Sequence, residues 1–175
     1  IYNRFVGKTL IKKNDNNVWI TVNSGENWDD IVKYALEKKY YGLENLAKIP
    51  GTIGGAVIQN IGAYASELSH YVESVEYINT RDGSTHILTN TQCKFAYRES
   101  IFKQCLASKA FITKVIFKLN CKFTPNINYK GLYEHFCDTV KKITAQDIYN
   151  QVSALRLAKI PDYTVVPNVG SFFKN

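Results

Sequence analysis

The stretch Ile49–Leu68 reads IPGTIGGAVIQNIGAYASEL, and its reading decides the fold. Four of the chain's ten glycines fall inside it: Gly51, Gly54, Gly55 and Gly62. Its polar side chains are few, namely Thr52, Gln59, Asn60, Tyr64, Ser66 and Glu67. Glycine at this density predicts that most of the stretch is not helical, yet it is too apolar for a solvent loop. Glycine lets a backbone approach a ligand closely and takes φ values closed to other residues. Backbone N–H groups left free in such a loop can bond phosphates or flat, polar-edged ligands. A buried loop with tight turns would need the same glycines, and a stretch without fixed spacing does not choose between the two.

Working outward, VWITVNSG from Val18 to Gly25 predicts a strand that ends in a turn. Trp28, Ile31, Val32, Ala35 and Leu36 then share one face of a helix, with Asn27 as its cap and Gly42 as its stop. On the far side, YVESVEYIN from Tyr71 alternates, RDGS at Arg81–Ser84 carries a turn signal, and THILTN returns as the second arm of a hairpin. FITKVIFKL from Phe111 is a further strand. Thr144 with Asp147 forms a capping box, and Ile148, Val152 and Leu155 line the helix that follows. Pro161–Asn168 reads as a connection and marks a domain boundary. These elements predict an α+β fold with mixed sheet and few helices.

A chain of 175 residues, 45% of them hydrophobic, is long and apolar enough for one core. The net charge of +7 comes from scattered Lys and Arg with no basic stripe, which favours a solvated basic surface over a nucleic-acid face. A basic cleft for anionic small molecules, such as nucleotide diphosphates, is also compatible. No apolar run is long enough to span a bilayer. Cys93, Cys105, Cys121 and Cys137 show no CxxC spacing, and His70, His86 and His135 are not in register with them. No metal site is expected, and the cysteines read as free buried thiols in a reducing compartment. The chain opens on Ile1, lacks methionine and stops on SFFKN, which reads as a piece of a longer polypeptide.

Two more stretches offer chemistry. FAYRESIFK, Phe95–Lys103, sets Arg98 between Tyr97 and Glu99; NVGSFFKN, Asn168–Asn175, sets Ser171 after Gly170. Taken singly, Arg98 suits a salt-bridged surface arginine and Ser171 a turn serine.

Taken together and in order, NSGENW, GLENLAKIPGTIGGAVIQNIGAYASEL, YRESIFK, INYKGL, LRLAKIPD and VGSFFKN resemble the UDP-N-acetylenolpyruvoylglucosamine reductase (MurB) family. The resemblance covers nearly the whole chain. It implies an FAD-binding domain of the vanillyl-alcohol-oxidase (PCMH) type: a second FAD subdomain over residues 1–160, then the start of a substrate domain at 161–175. A first FAD subdomain would precede Ile1, and the rest of the substrate domain, with a glutamate assisting Arg98, would follow Asn175.

The implied activity is NADPH-dependent, FAD-mediated reduction of UDP-N-acetylglucosamine enolpyruvate to UDP-N-acetylmuramate in peptidoglycan synthesis. Arg98 falls on the arginine that holds the enolpyruvyl carboxylate, a task suited to a planar two-pronged donor. Ser171 falls on the serine that protonates the carbanion. Tyr129, Lys159 and Asn175 fall on positions that bind the UDP diphosphate, and Tyr97 lies beside the substrate. Pro50, Gly51, Gln59, Asn60, Gly62, Ala63 and Tyr64 fall in the flavin-contacting loop, so the opening stretch would line one side of an isoalloxazine ring. The implied setting is a cytoplasmic enzyme, monomeric at full length, that binds neither nucleic acid nor membrane. Another FAD oxidoreductase of the same fold, or a non-catalytic remnant, are the competing readings.

Overall fold

The computed structural model describes residues 3–138, 142–161 and 165–166. Alternation of side chains builds its frame. Strand β2 (Asn17–Asn23) turns Val18, Ile20 and Val22 inward, and all three are fully buried. Opposite them on β7 (Ala110–Asn120) stand Leu119, Phe117 and Val115, residue for residue. On its other side β7 pairs with β5 (Val72–Asn79), where Val75 faces Val115. Two hairpins extend the sheet outward. β1 (Lys8–Lys13) joins β2, and β6 (Thr85–Thr89) joins β5 through the predicted turn, with Gly83 at φ +74°. The order is β1-β2-β7-β5-β6, with every pairing antiparallel.

The sequence reading missed β1, because every residue of KTLIKK is exposed and no inward face repeats with period two. Its lysines blunt an open edge, and Lys12 lies 4.2 Å from the Trp19 ring centroid.

Helices cover one face of the sheet. Helix α1 (Trp28–Glu37) starts where predicted, with the Asn27 side chain accepting from the Asp29 and Asp30 N–H groups. Trp28 meets Phe117 edge-on at 6.2 Å and donates from its indole to the Leu46 carbonyl. The helix stops before Gly42: Lys38 caps it, and Lys39 takes the left-handed φ of +59°. Helix α2 (Ile53–Gln59) takes seven residues of the glycine stretch, so most of the stretch is not helical, as expected, but Gly54 and Gly55 lie inside the helix. The reason is close packing. A Cβ on Gly54 would sit 3.2 Å from the Ser24 side chain, a tight contact, so glycine eases the approach of this helix to the β2–α1 turn. Strands β3 (Gly62–Ala63) and β4 (Ser66–Glu67) follow as a two-residue hairpin.

Helices α3 (Lys130–Phe136) and α4 (Ala145–Lys159) close the core from the side of residues 44–46. The Thr144–Asp147 capping box is present in both directions. Ile148 and Val152 are buried, as the periodicity predicts, and Leu155 packs against the core from the half-buried edge. The boundary expected at Pro161–Asn168 lies largely outside the described residues.

Burial of the thiols is corrected in part. Cys93 is buried, and burial pushes its thiol up to about 12, but Cys105 and Cys137 are exposed and Cys121 is intermediate. Cys105 sits in an irregular turn-rich segment and Cys137 just past the end of α3, where no element among the described residues covers them. Among the described residues no group of His, Cys, Asp or Glu could hold a metal ion, and no helix is long and apolar enough to cross a membrane.

Candidate active site

The β3–β4 hairpin is the centre of the site. Its two turn residues, Tyr64 and Ala65, have φ of +47° and +60°. That pair of left-handed residues makes the tight hairpin turn normally supplied by Asn-Gly. Upstream, α2 ends on Asn60, also left-handed at φ 41° and ψ 62°. Asn60 is fully buried, and its side chain is spent on the protein. Its Nδ2 donates to Glu67 Oε2 at 3.1 Å and to the Ala96 carbonyl at 2.9 Å, while its Oδ1 accepts from the Ser69 N–H at 3.0 Å. Asn60 therefore ties α2, β4 and the 96–99 turn together.

That turn carries Arg98. Ala96 and Glu99 bond each other's backbones at 3.0 and 3.1 Å, which leaves Tyr97 and Arg98 at the tip. Arg98 is left-handed at φ +54°, costly for a side chain with a Cβ and a feature that clusters at functional sites. Lys103 Nζ donates to the Arg98 carbonyl at 2.8 Å and to Gln59 Oε1 at 3.1 Å, pinning the turn to the end of α2. Ser100 Oγ adds a bond to the Ile58 carbonyl at 2.8 Å. The guanidinium folds back over the hairpin: Nη2 donates to the Gly62 carbonyl at 2.6 Å, and its carbon lies 5.1 Å from the Tyr97 ring centroid. Nη1 is buried with no hydrogen-bond partner among the described residues. A Cβ at position 62 would stand 2.8 Å from Nη1, so glycine there makes room for the guanidinium. A buried cationic donor that lacks an acceptor among the described residues is suited to receive an anion.

The other side of the hairpin carries a second cluster. The Tyr64 and Tyr129 rings meet edge-on at 4.8 Å. Lys159 Nζ, from the last turn of α4, donates to the Tyr129 hydroxyl at 3.1 Å, and this bond holds the ammonium above its ordinary range. Burial pushes the Tyr64 hydroxyl up, while the positive charges of Arg156 and Lys159 pull it back. Arg156 donates from Nε to the Lys48 carbonyl at 3.1 Å, and burial lowers its affinity for the proton. Two tyrosine hydroxyls and two cations thus converge on one side of the hairpin, a constellation suited to a polyanion.

An ionic hub fixes the rim. Asp29 is buried, which pushes its carboxyl up, but the Lys48 N–H at 2.8 Å and the ammonium groups of Lys33 and Lys48 at 3.1 and 3.4 Å outweigh that effect and hold it below the usual carboxylate range. Tyr149 of α4 also donates to Asp29 at 3.1 Å, and burial beside that carboxylate carries its hydroxyl up to about 12. Asp29 thereby joins α1, the Lys48–Gly51 loop and α4.

Of the residues read from the sequence, Gln59, Asn60, Gly62, Ala63, Tyr64, Tyr97, Arg98, Tyr129 and Lys159 gather around this hairpin. Pro50 and Gly51 lie exposed before α2; Gly51 has φ +120° and open space where a Cβ would point. Ser171 and Asn175 lie outside the described residues. Sequence reasoning missed Asn45, Lys103, Asn126 and Arg156. Three of these stand inside the motif stretches GLENLAKIPG, YRESIFK and LRLAKIPD, but nothing in their type separates them from ordinary surface residues. A separate open cleft of about 470 Å³, lined by Thr21, Ser74, Glu76 and Lys114 among others, holds none of the site residues.

The family model described as FAD binding domain matches residues 5–89. The UDP-N-acetylenolpyruvoylglucosamine reductase of Pseudoalteromonas translucida (strain TAC 125) is 46% identical over 94% of this chain and 48% of its own length. That of Aliivibrio fischeri (strain ATCC 700601 / ES114) is 38% identical over 100% of this chain and 49% of its own. Among solved structures, UDP-N-acetylenolpyruvylglucosamine reductase (MurB) from Thermus caldophilus aligns with a TM-score of 0.54 at 25% identity, covering 79% of this chain and 42% of that one. The chain spans about half the length of the curated relatives it matches. The resemblance read from the motifs is therefore borne out: over nearly its whole length this chain is similar to the UDP-N-acetylenolpyruvoylglucosamine reductases, and its α+β fold is that of an FAD-binding domain of the vanillyl-alcohol-oxidase type.

Proposed function

We propose that this chain forms part of the active site of an NADPH-dependent flavoenzyme that reduces UDP-N-acetylglucosamine enolpyruvate to UDP-N-acetylmuramate in peptidoglycan synthesis. The observation that carries the reading is Arg98, a left-handed arginine whose Nη1 is buried without an acceptor among the described residues while Nη2 is held by Gly62. Arg98 Nη1 has no acceptor among the described residues, and an enolpyruvyl carboxylate would satisfy it. The glycine stretch fits a flavin ring on separate grounds: Gly51 presents open backbone, with nothing near where a Cβ would point. Bound FAD, reduced by NADPH, would supply a hydride to the enolpyruvyl methylene carbon.

The chain's own residues then have distinct tasks. Pro50, Gly51, Gln59, Asn60, Gly62, Ala63 and Tyr64 would flank the flavin, with Asn60 contributing through backbone because its side chain is engaged. Arg98 would clamp the substrate carboxylate and stabilise the negative charge that develops beside it. Ser171 would deliver the proton to the α-carbon beside the carboxylate, Tyr97 would border the substrate, and Tyr129, Lys159 and Asn175 would take the diphosphate. Residues 1–160 would serve as the second FAD subdomain and 161–175 as the start of the substrate domain, in a monomeric cytoplasmic enzyme with no role in nucleic-acid or membrane binding.

The test uses the native polypeptide loaded with FAD. NADPH oxidation should depend on the enolpyruvyl nucleotide; oxidation indifferent to it overturns the reading. Arg98→Lys keeps the charge but not the planar two-pronged donor, and should slow turnover by roughly a hundred- to a thousandfold. Ser171→Ala should slow it by about a hundred- to ten-thousandfold. Both variants should leave flavin reduction by NADPH near the wild-type rate in stopped-flow absorbance.

A further inference from the structure

We propose that Asn45 is a positioning residue that latches the segment bearing Tyr129 onto the strained Tyr64–Ala65 turn. Its consequence for ligand binding rests on the proposed role of Tyr129. Asn45 lies in the short 3-10 turn at 44–46 and is 3% exposed. Both hydrogens of its Nδ2 are used. One goes to the Tyr64 carbonyl at 2.8 Å and the other to the Asn126 carbonyl at 2.9 Å, a residue 81 positions away in sequence. Two carbonyls at that end fix the amide orientation, since an oxygen there would face two acceptors. Asn126 completes the triangle by donating from Nδ2 to the Ala65 carbonyl at 3.0 Å.

Three bonds thus join three segments that no regular element connects. The turn needs the support, because Tyr64 and Ala65 both carry a Cβ in the left-handed region. The segment from Cys121 to Tyr129 needs it too, having neither helix nor strand of its own. Tyr129 ends that segment, meets Tyr64 edge-on at 4.8 Å and accepts from Lys159. Where the Tyr129 hydroxyl stands relative to Tyr64 and Lys159 is therefore set by whether Asn45 holds both carbonyls. A buried donor that leaves two carbonyls unpaired when removed has a larger effect than its own single contact would suggest.

The test is amide hydrogen exchange on the native polypeptide, comparing wild type with Asn45→Leu, which keeps the volume and removes both donors. Exchange across 62–67 and 123–133 should accelerate together by about tenfold, the scale of one net hydrogen bond, while β2, β5 and β7 stay unchanged. Adding Asn126→Ala should produce little further acceleration, because both changes open one latch. In the FAD-loaded enzyme, KM for the enolpyruvyl nucleotide should rise about tenfold with kcat within about twofold, the signature of lost positioning for binding. Unchanged exchange in either segment, or acceleration spread over the sheet, overturns the latch; lower kcat with unchanged KM overturns the positioning role. If Asn45→Leu does not fold, Asn126→Ala decides alone: joint acceleration of the two segments supports the latch and its absence overturns it. Wild-type protein that oxidises NADPH without regard to the nucleotide would overturn the proposed function instead, and the exchange pattern would still decide the latch.

Discussion

The three central strands and the hairpin at 62–67 are built on opposite principles. In the strands, regular backbone lets burial do the stabilising. Val18, Ile20 and Val22 face Leu119, Phe117 and Val115 with no exposed surface on any of the six, and full burial of such side chains is worth about 1.5–3 kcal/mol each. In the hairpin and the turn beside it, the backbone is irregular and adverse. Asn60, Tyr64, Ala65 and Arg98 are all left-handed and none is glycine. Polar side chains hold that geometry: Asn60, Asn45, Asn126 and Lys103 donate to seven carbonyls or side-chain oxygens around it. The difference teaches where the molecule can store strain. A frame secured by apolar packing tolerates adverse backbone next to it, and the strain collects around Arg98, whose Nη1 is unpaired among the described residues.

The comparison is broken most forcefully from the frame side. Phe117→Ala empties a fully buried ring site against Trp28. It should lower unfolding stability by about 3–5 kcal/mol in a denaturant titration; a loss under about 1 kcal/mol would mean the sheet core is not what holds the fold.

Asp29→Asn probes the ionic hub between the two regions. At neutral pH it should cost about 1–3 kcal/mol, because a buried charged hydrogen-bond acceptor for Lys48 and Tyr149 is lost. The folded carboxyl titrates below its ordinary value of 3.8, so its contribution is present above that pH and lost as pH falls through the lowered folded value. Wild-type stability should therefore fall more steeply with acid below about pH 4 than that of Asp29→Asn. Parallel curves in that window would show that Asp29 does not couple folding to protons.

The smallest effect has the opposite sign. Ala65→Gly relieves a left-handed residue whose carbonyl is retained for Asn126. Relief of about 1–2 kcal/mol, less the extra entropy of glycine in the unfolded chain, should leave a gain of roughly 0.5–1 kcal/mol in thermal unfolding. A loss of stability would mean the turn carries no strain.

Much of the frame is legible in the amino-acid sequence alone. Period-two alternation locates β2, β5 and β7, the Asp-Gly turn locates the β5–β6 hairpin, and Asn27, Thr144 and Asp147 announce two helix starts. These signals are local, because a pleat or a helix cap is completed within a few residues. Gly54 and Gly55 give no local sign of the helix that holds them, because glycine's low helix propensity is offset at Gly54 by close packing against Ser24, and no nearby residue announces that contact. β1 is silent for lack of any buried face.

For the site the division falls elsewhere. Sequence by itself named the segments: the glycine stretch, YRESIFK and the residues around Tyr129 and Lys159 stand in an order specific enough to point to one family. Only the tertiary structure decided how they act on one another. It placed β7 between β2 and β5, so that residues far apart in sequence share one core. It bent Tyr64, Ala65 and Arg98 into left-handed backbone without a glycine to signal it. It also brought Asn45 to Asn126, and Arg98 Nη2 to the Gly62 carbonyl. A helix cap or a pleat is chosen by neighbours along the chain, whereas a strained turn survives only if distant donors meet its carbonyls, and that meeting exists nowhere but in the folded molecule.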